Sequence, residues 1–69
     1  MKYTHIIKQI SKKDHFYPYR DEFLNRKCRI VKRDVAYFEW KDGWLGCWLD
    51  IKDESTHCQF HEVKLIDIN

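Results

Sequence analysis

The sequence predicts a small all-β domain, and three observations favour it. Aromatic residues make up 16% of the 69 residues, and such side chains suit the pleated, half-buried surface of a sheet. Apolar helix formers are scarce, since the chain has only one alanine, Ala36, and four leucines. Short runs of alternating apolar and polar residues recur between turn residues. We therefore expect one β domain over residues 1–69.

Composition and charge exclude several classes of protein. Thirteen Lys and Arg against eleven Asp and Glu give a formal net charge of +2. This charge is too small to predict nucleic-acid binding by itself, and it is not the acidic surface of a DNA mimic. With 43% hydrophobic residues the chain can bury a core, so we expect a folded protein. So short a chain leaves little room for the enclosed pocket of a multistep enzyme.

The cysteines and the N-terminus indicate the compartment. Cys28, Cys47 and Cys58 do not form the dense, even-numbered pattern of a disulfide framework. The N-terminus lacks the apolar region and cleavage site of a signal peptide, and no apolar run approaches the roughly 18 residues of a membrane span. We therefore expect a cytoplasmic protein with reduced thiols and no membrane partner.

The first predicted element is a strand within residues 3–11. Ile6, Ile7 and Ile10 fit one face of a helix as well as a strand, because short apolar runs are ambiguous in their periodicity. The apolar run at residues 65–68 offers a partner strand, and this favours the strand over the helix.

An ordered segment, the aromatic arm of residues 15–20, follows this strand. Pro18 fixes its own φ and keeps Tyr17 extended, which predicts a defined loop. Asn25 then suits a turn position with left-handed backbone. The next strand is predicted at residues 28–33. Alternation places Cys28 and Ile30 on one side and Arg29, Val31 and Arg33 on the other.

The strongest local signal is Asp42-Gly43, which lies between two aromatic runs and is typical of a two-residue hairpin turn with a positive φ at Gly43. Opposed residues of such a hairpin share a face. The expected core face pairs Trp40 with Leu45, Phe38 with Cys47, and Ala36 with Leu49. The expected outer face pairs Lys41 with Trp44, Glu39 with Gly46, Tyr37 with Trp48, and Val35 with Asp50.

A helix is the alternative for this segment. Trp40, Trp44 and Trp48 recur every four residues, as they would in a helical stripe. Gly43 and Gly46 interrupt the stripe, and glycine destabilises a helix interior. The clean separation of apolar and mixed faces therefore favours the hairpin.

The C-terminal third predicts one more strand, a corner and a last strand. After a polar turn at residues 52–56, we expect Cys58 to lie opposite Leu49 and Phe60 opposite Cys47. This register puts all three cysteines in the core. Residues 60–65 are expected to form the end of this strand and a one-turn corner that leads into the last strand at residues 65–68.

The order of these elements resembles the SH3-like small barrels. Two segments carry the resemblance. Residues 23–31 (FLNRKCRIV) look like the turn-plus-strand opening of such barrels in phage and ribosome-associated proteins, and residues 60–65 (FHEVKL) look like their corner. Asn25 and Cys28 stand where those proteins usually carry glycine. The resemblance implies a single five-stranded SH3-like barrel at residues 23–69, preceded by a strand and the aromatic arm at residues 1–22.

Cysteine and histidine residues include the ligand types of a structural zinc site: Cys28, Cys47, Cys58, His57 and His61. Structural zinc needs four converging ligands, usually in close pairs. Cys28 and Cys47 stand alone in the sequence, and Cys58 and His61 fall on opposite faces of their predicted strand. We therefore expect buried thiols that act as small hydrophobes, with no metal and no cofactor.

No motif predicts an enzyme. The three cysteines are expected to face the core, where a thiol lacks the exposure and lowered pKa of a nucleophile. The only glycines are Gly43 and Gly46, so no glycine-rich phosphate loop exists. We expect a protein without catalytic activity.

The most informative residues for function are the aromatics expected on the outer face: Tyr37, Trp44 and Trp48. Clustered exposed aromatics usually have a partner, and Trp and Tyr are common hot spots of protein interfaces. Three basic residues are expected near them: Lys41, Arg29 and Arg33. We expect a protein partner, as for a phage-type inhibitor or adaptor acting on a host system. The alternative is nucleic-acid binding by stacking, although +2 is a weak charge for it.

A structural alternative exists for the same aromatics. The aromatic arm could fold back over Tyr37, Trp44 and Trp48 and form a second small core, because so small a barrel needs every apolar contact. In that case these residues would stabilise the fold and would not bind a partner.

Overall fold

A computed structural model of the protein describes residues 2–34, 43–54 and 58–68. These residues form an all-β fold, as predicted, with a small amount of helix between the first two strands. The strands are β1 (His5–Ile10), β2 (Lys27–Arg33), β3 (Leu45–Ile51) and β4 (Gln59–Asp67). A 3-10 turn (Tyr17–Tyr19) and a one-turn helix, α1 (Arg20–Phe23), lie between β1 and β2.

The strands form a closed antiparallel barrel in the order β1-β2-β3-β4, and β4 pairs back onto β1. Val63 marks the point of closure, because it pairs with Leu45 of β3 on one side and with Ile10 of β1 on the other. The side chain of Val63 is 1% exposed. One long strand therefore joins both edges of the sheet.

The continuity of β4 corrects the predicted corner at residues 60–65. This segment lies inside one nine-residue strand, so the two strands predicted at the C-terminus are one. The segment contains neither Gly nor Pro, which would favour a break. Its first half bonds to β3 and its second half to β1, so the strand changes partner without a turn.

The register between β3 and β4 differs by one residue from the prediction. Phe60 lies opposite Trp48, and His61 lies opposite Cys47. Because side chains alternate along a strand, a shift of one residue exchanges the two faces. His61 is therefore buried in the core at 3% exposure, whereas Phe60 shares the outer face with Trp48. Cys58, predicted in the core, is exposed.

The predicted partners of β3 also need correction. Cys47, Trp48 and Leu49 each pair with β4 on one side and with β2 on the other, so β2 stands where residues 36–38 were predicted. Cys47 pairs with Arg33, and Leu49 pairs with Ile30. Residues 35–42, which carry the other half of the predicted hairpin, lie outside the described residues. The core face of β3 is confirmed, since Cys47 and Leu49 are buried.

The N-terminal strand is confirmed together with its partner. The apolar run at residues 65–68 is its partner, as predicted, and the register pairs Ile6 with Ile66 and Ile7 with Leu65. Ile7 is 1% exposed. The positive φ values expected at Asn25 and Gly43 are present, at 69° and 76°.

The core lies inside the barrel and continues under the aromatic arm. Its buried apolar side chains come from all four strands and α1: Ile7, Ile10, Phe23, Cys28, Cys47, Leu49, Ile51 and Val63. Phe16 and Tyr17 of the arm pack against this cluster. Within the described residues no helix has the length and apolar character needed to cross a membrane.

Candidate functional site

The outer face of the barrel carries a row of three opposed side chains on β2, β3 and β4: Lys32, Trp48 and Phe60. The Trp48 and Phe60 rings meet edge to face with their centroids 5.0 Å apart. The Lys32 ammonium lies 5.3 Å from the centre of the Trp48 ring. This geometry combines an aromatic pair with a cation–π contact, and both orient the indole on the surface.

A second tryptophan extends this face. Trp44 lies just before β3, and the Lys64 ammonium sits 5.0 Å from the centre of its ring. Trp44 and Trp48 are both half-buried, so each retains surface that a partner could cover. We refer to Lys32, Trp44, Trp48, Phe60 and Lys64 as the cation–aromatic face.

Arg29 lies on the same side of the sheet as Trp48 but carries a compensated charge. Its guanidinium forms a salt bridge of 3.3 Å with Asp50, the residue directly opposite on β3. Both side chains are about one third exposed, at 34% and 31%. Among the described residues, the buried Nε of Arg29 has no hydrogen-bond partner. Arg29 therefore adds a polar, nearly neutral border to the face.

Arg33 does not lie on the same side as Arg29, contrary to the prediction. The pairing of β2 with β3 shifts between Ile30 and Lys32, which makes Val31 the extra residue of a β-bulge. Beyond the bulge the alternation is inverted. Arg33 lies opposite the core residue Cys47, and Lys32 takes the outer position beside Trp48.

Two predicted binding residues, Tyr37 and Lys41, lie outside the described residues. Trp44 and Trp48 share the face that was predicted for them. Sequence reasoning missed Lys32, Phe60 and Lys64. The missing signals were the bulge in β2 and the register of β4, since either one reverses which side chains face outward.

The aromatic arm packs on the core side of the barrel. Phe16 stacks on Phe23 with centroids 4.4 Å apart, and it contacts the buried ring of His61 at 4.6 Å. Because Phe60 and His61 are neighbours in a strand, they point to opposite faces. These contacts therefore put the arm over the core, on the side away from Trp48.

A second cluster lies beneath the arm, around the buried carboxylate of Asp14. Its Oδ2 accepts hydrogen bonds from the Nδ1 of His61 at 3.0 Å and the backbone N–H of Phe16 at 3.0 Å. Its Oδ1 accepts a hydrogen bond of 2.9 Å from the backbone N–H of Glu62. Burial alone raises the pKa of Asp14, but these hydrogen bonds and the nearby His61 outweigh it, and the pKa is lowered.

His15 adds an exposed imidazole to this cluster. Its ring stacks on that of His61, with centroids 5.0 Å apart and planes 19° from parallel. The Nε2 of His15 donates to the Oε1 of Gln59 at 2.8 Å. One ligand-type atom each from Asp14, His15 and His61 lies within 4.8 Å of the others. The sequence pattern did not connect His61 with Asp14, because 47 positions separate the two residues.

Cys47, His61 and Asp14 are neighbours in space and have the residue types of a nucleophilic triad, but the thiol is not activated. Cys47 and His61 are opposed across β3 and β4, and Asp14 bonds to His61. Cys47 is fully buried, however, and burial raises the pKa of its thiol to about 11. Burial likewise raises the pKa of Cys28 to about 12. Neither thiol is a thiolate near neutral pH, so neither is activated for attack.

Comparisons with known proteins add no relationship: no protein-family model, no curated protein and no solved structure matches this chain. The function must therefore be inferred from the geometry of the cation–aromatic face and of the cluster around Asp14.

Proposed function

We propose that the protein is a small, non-catalytic binding module whose partner is another protein, bound at the cation–aromatic face. The observation that carries the proposal is the row of Lys32, Trp48 and Phe60 across three neighbouring strands. An indole held between a cation and a second ring has a fixed orientation, so little side-chain entropy is lost when a partner covers it.

The chemistry of the face suits a protein partner with acidic and apolar side chains. Tryptophan is the residue type that most often dominates binding energy at protein interfaces. Lys32 and Lys64 add positive charge beside the two indoles. The neighbouring salt bridge of Arg29 with Asp50 gives a polar border of both signs, as protein interfaces commonly have at their rim.

Two observations support a role without catalysis. The buried thiols of Cys28 and Cys47 have pKa values of about 12 and 11, which is the opposite of what a cysteine nucleophile needs. The Asp14 carboxylate is already satisfied by three hydrogen bonds, which is typical of a residue that fastens structure.

We also propose that the fold is a variant of the SH3-like barrel in which the last two strands are continuous. What supports this is the change of partner at Val63, where β4 passes from β3 to β1 and closes the barrel. In such a variant, β4 replaces the last two strands of the SH3-like barrel. The face on β2, β3 and β4 is then a sheet surface suited to an adaptor or inhibitor.

The test compares wild-type protein with Trp48→Ala, Lys32→Ala and the control Lys8→Ala, which changes an exposed lysine of β1. Each is immobilised and exposed to lysate of the native host, and any retained protein is then purified and titrated by calorimetry. We expect Trp48→Ala to weaken binding by about 2 kcal/mol or more, as at a hot spot. Lys32→Ala should weaken it less, and Lys8→Ala should not change it. A purified partner that binds Trp48→Ala with wild-type affinity contradicts the proposal.

Nucleic-acid binding is the second candidate, and the two Trp–Lys pairs favour it. Bases can stack on Trp44 and Trp48 while Lys64 and Lys32 contact phosphates. Titration of a single-stranded oligonucleotide, followed by tryptophan fluorescence at several salt concentrations, separates the candidates. Quenching that weakens steeply with salt and disappears in Lys32→Ala indicates nucleic acid as the partner. Absence of quenching at low salt excludes it.

A further inference from the structure

We propose that Asp14, His15 and His61 form a binding site for a divalent transition-metal ion such as Zn²⁺. The three residues supply two imidazoles and one carboxylate, and one ligand-type atom from each lies within 4.8 Å of the others. The site is separate from the cation–aromatic face, since His61 points into the barrel on the opposite side from its neighbour Phe60. It does not depend on the proposed function.

Two of the three ligands are already in place. The Nδ1 of His61 and the Oδ2 of Asp14 are 3.0 Å apart. Two ligand atoms that each lie about 2.1 Å from one ion are about 3.0–3.4 Å apart for bond angles between square and tetrahedral values. An ion can therefore take the place of the proton between these atoms, with a widening of a few tenths of an ångström.

Metal binding at the Nδ1 of His61 requires this nitrogen to release its proton. A carboxylate only accepts hydrogen bonds, so the Nδ1 of neutral His61 carries the proton in the absence of metal. When the ion binds Nδ1, the ring stays neutral by carrying its proton on Nε2 instead. Binding thus changes the tautomer of His61, and no oxidation or net loss of a proton from the neutral ring is needed.

His15 supplies the third ligand through its free nitrogen. Its Nε2 donates to the Oε1 of Gln59, and the Nδ1 of the neutral ring therefore keeps a lone pair. The rings of His15 and His61 are nearly parallel, so His15 must tilt to direct this lone pair at the ion. Its side chain is exposed and can make that movement without disturbing the core.

The surroundings hold the carboxylate ligand in position. Backbone N–H groups of Phe16 and Glu62 bond to the two oxygens of Asp14, which fixes its orientation before any ion arrives. Two imidazoles with one carboxylate suit zinc and its neighbours in the transition series, whereas magnesium and calcium prefer oxygen ligands alone. A bound ion would fasten the segment before the aromatic arm to β4.

The experiment is a calorimetric titration with Zn²⁺ of chelator-treated wild type and three variants. His15→Ala removes an exposed ligand and should leave the fold intact. His5→Ala is the matched histidine control, and Cys58→Ser removes the exposed thiol as a competing ligand. We expect one ion per wild-type chain, affinity lowered by about tenfold or more in His15→Ala, and unchanged binding in the other two variants. Zinc should also raise the unfolding temperature of wild type.

A second measurement on the wild-type protein reports on His61 directly. Nitrogen-15 chemical shifts of the imidazoles distinguish the two tautomers, and saturating Zn²⁺ should convert His61 from the Nδ1–H to the Nε2–H form. The proposal is overturned if wild type does not bind zinc, if His15→Ala binds it equally well, if Cys58→Ser abolishes binding, or if His61 keeps its tautomer at saturation.

Discussion

Asp14 and His61 lie 47 positions apart in the chain, yet the carboxylate of one accepts a 3.0 Å hydrogen bond from the ring of the other, and both side chains are almost completely buried. The same carboxylate accepts hydrogen bonds from the backbone of Phe16 and Glu62. One side chain therefore connects the start of the aromatic arm to β4. A buried polar network of this kind is stabilising only while every member is satisfied.

Asp14→Asn should destabilise the protein strongly. The carboxylate has two acceptor oxygens, whereas the amide has one oxygen and one NH₂ group that can only donate. At least one of the three hydrogen bonds that Asp14 accepts is therefore lost, and a buried donor then faces another donor. Removing one partner of a buried charged interaction lowers the free energy of unfolding by about 2–4 kcal/mol. Urea unfolding followed by circular dichroism measures the change. Asp21→Asn, an exposed carboxylate of α1, is the control and should cost little. Equal costs for the two variants would show that the Asp14 network does not stabilise the fold.

The same carboxylate predicts the dependence of stability on pH. The pKa of Asp14 is lowered in the folded state from its ordinary value of 3.8, so the unfolded chain binds this proton more readily. Its stabilising contribution is fully present above that value and is lost as the pH falls through the folded-state pKa. Urea unfolding of metal-free protein between pH 7 and strongly acidic pH should show the difference between wild type and Asp14→Asn shrinking with acid. A difference that stays constant through the acidic range contradicts this linkage.

The residues that could be predicted are those whose signal is local. Apolar runs at both ends of the chain predicted that the two ends pair, and the chemistry of glycine predicted positive φ at Gly43. Alternation also predicted the buried face of β3. The Val31 bulge could not be predicted, because one extra residue in a strand changes no local pattern, although it exchanges Arg33 for Lys32 on the outer face.

The register of β4 could not be predicted for a different reason. Apolar alternation favours Phe60 in the core and His61 outside, whereas the fold has the reverse. A buried histidine is tolerated because Asp14 satisfies its Nδ1, and that partner lies far away in the sequence. The same long-range contact brings Asp14 and His61 together, so the candidate metal site could not be predicted from residues that are neighbours in the sequence.

The cysteines should separate into two classes of reactivity. Cys28 and Cys47 are fully buried with pKa values raised to about 12 and 11, whereas Cys58 is exposed. A disulfide reagent at pH 8 should therefore modify one thiol of the native protein quickly and the other two only after denaturant is added. Cys58→Ser is the control and should abolish the fast phase. Three fast thiols in the native protein would contradict the burial of the barrel interior.

The arm and the cation–aromatic face should be energetically independent. Phe16 stacks on Phe23 beneath the arm, while Trp48 contacts Phe60 and Lys32 on the other side of the sheet. Phe16→Ala should cost about 2 kcal/mol or more, since it removes a half-buried ring from the core. The double variant with Trp48→Ala should equal the sum of the single costs within about 0.5 kcal/mol. Measured by urea unfolding, a large non-additive term would mean that the arm and Trp48 share contacts, and the binding role of Trp48 would then fail.

Gly43→Val should destabilise the protein through backbone conformation alone. Gly43 has a φ of 76°, a region that residues with a Cβ rarely adopt. A Cβ at this position meets no atom of the described residues within 4 Å, so steric contact with them is not the cause. β-branched valine should therefore cost about 1 kcal/mol or more, whereas Gly43→Asn should cost less because asparagine tolerates left-handed backbone. Thermal unfolding of the two variants beside wild type measures both costs. If valine and asparagine lower the melting temperature equally, the left-handed conformation of Gly43 does not determine the cost of substitution.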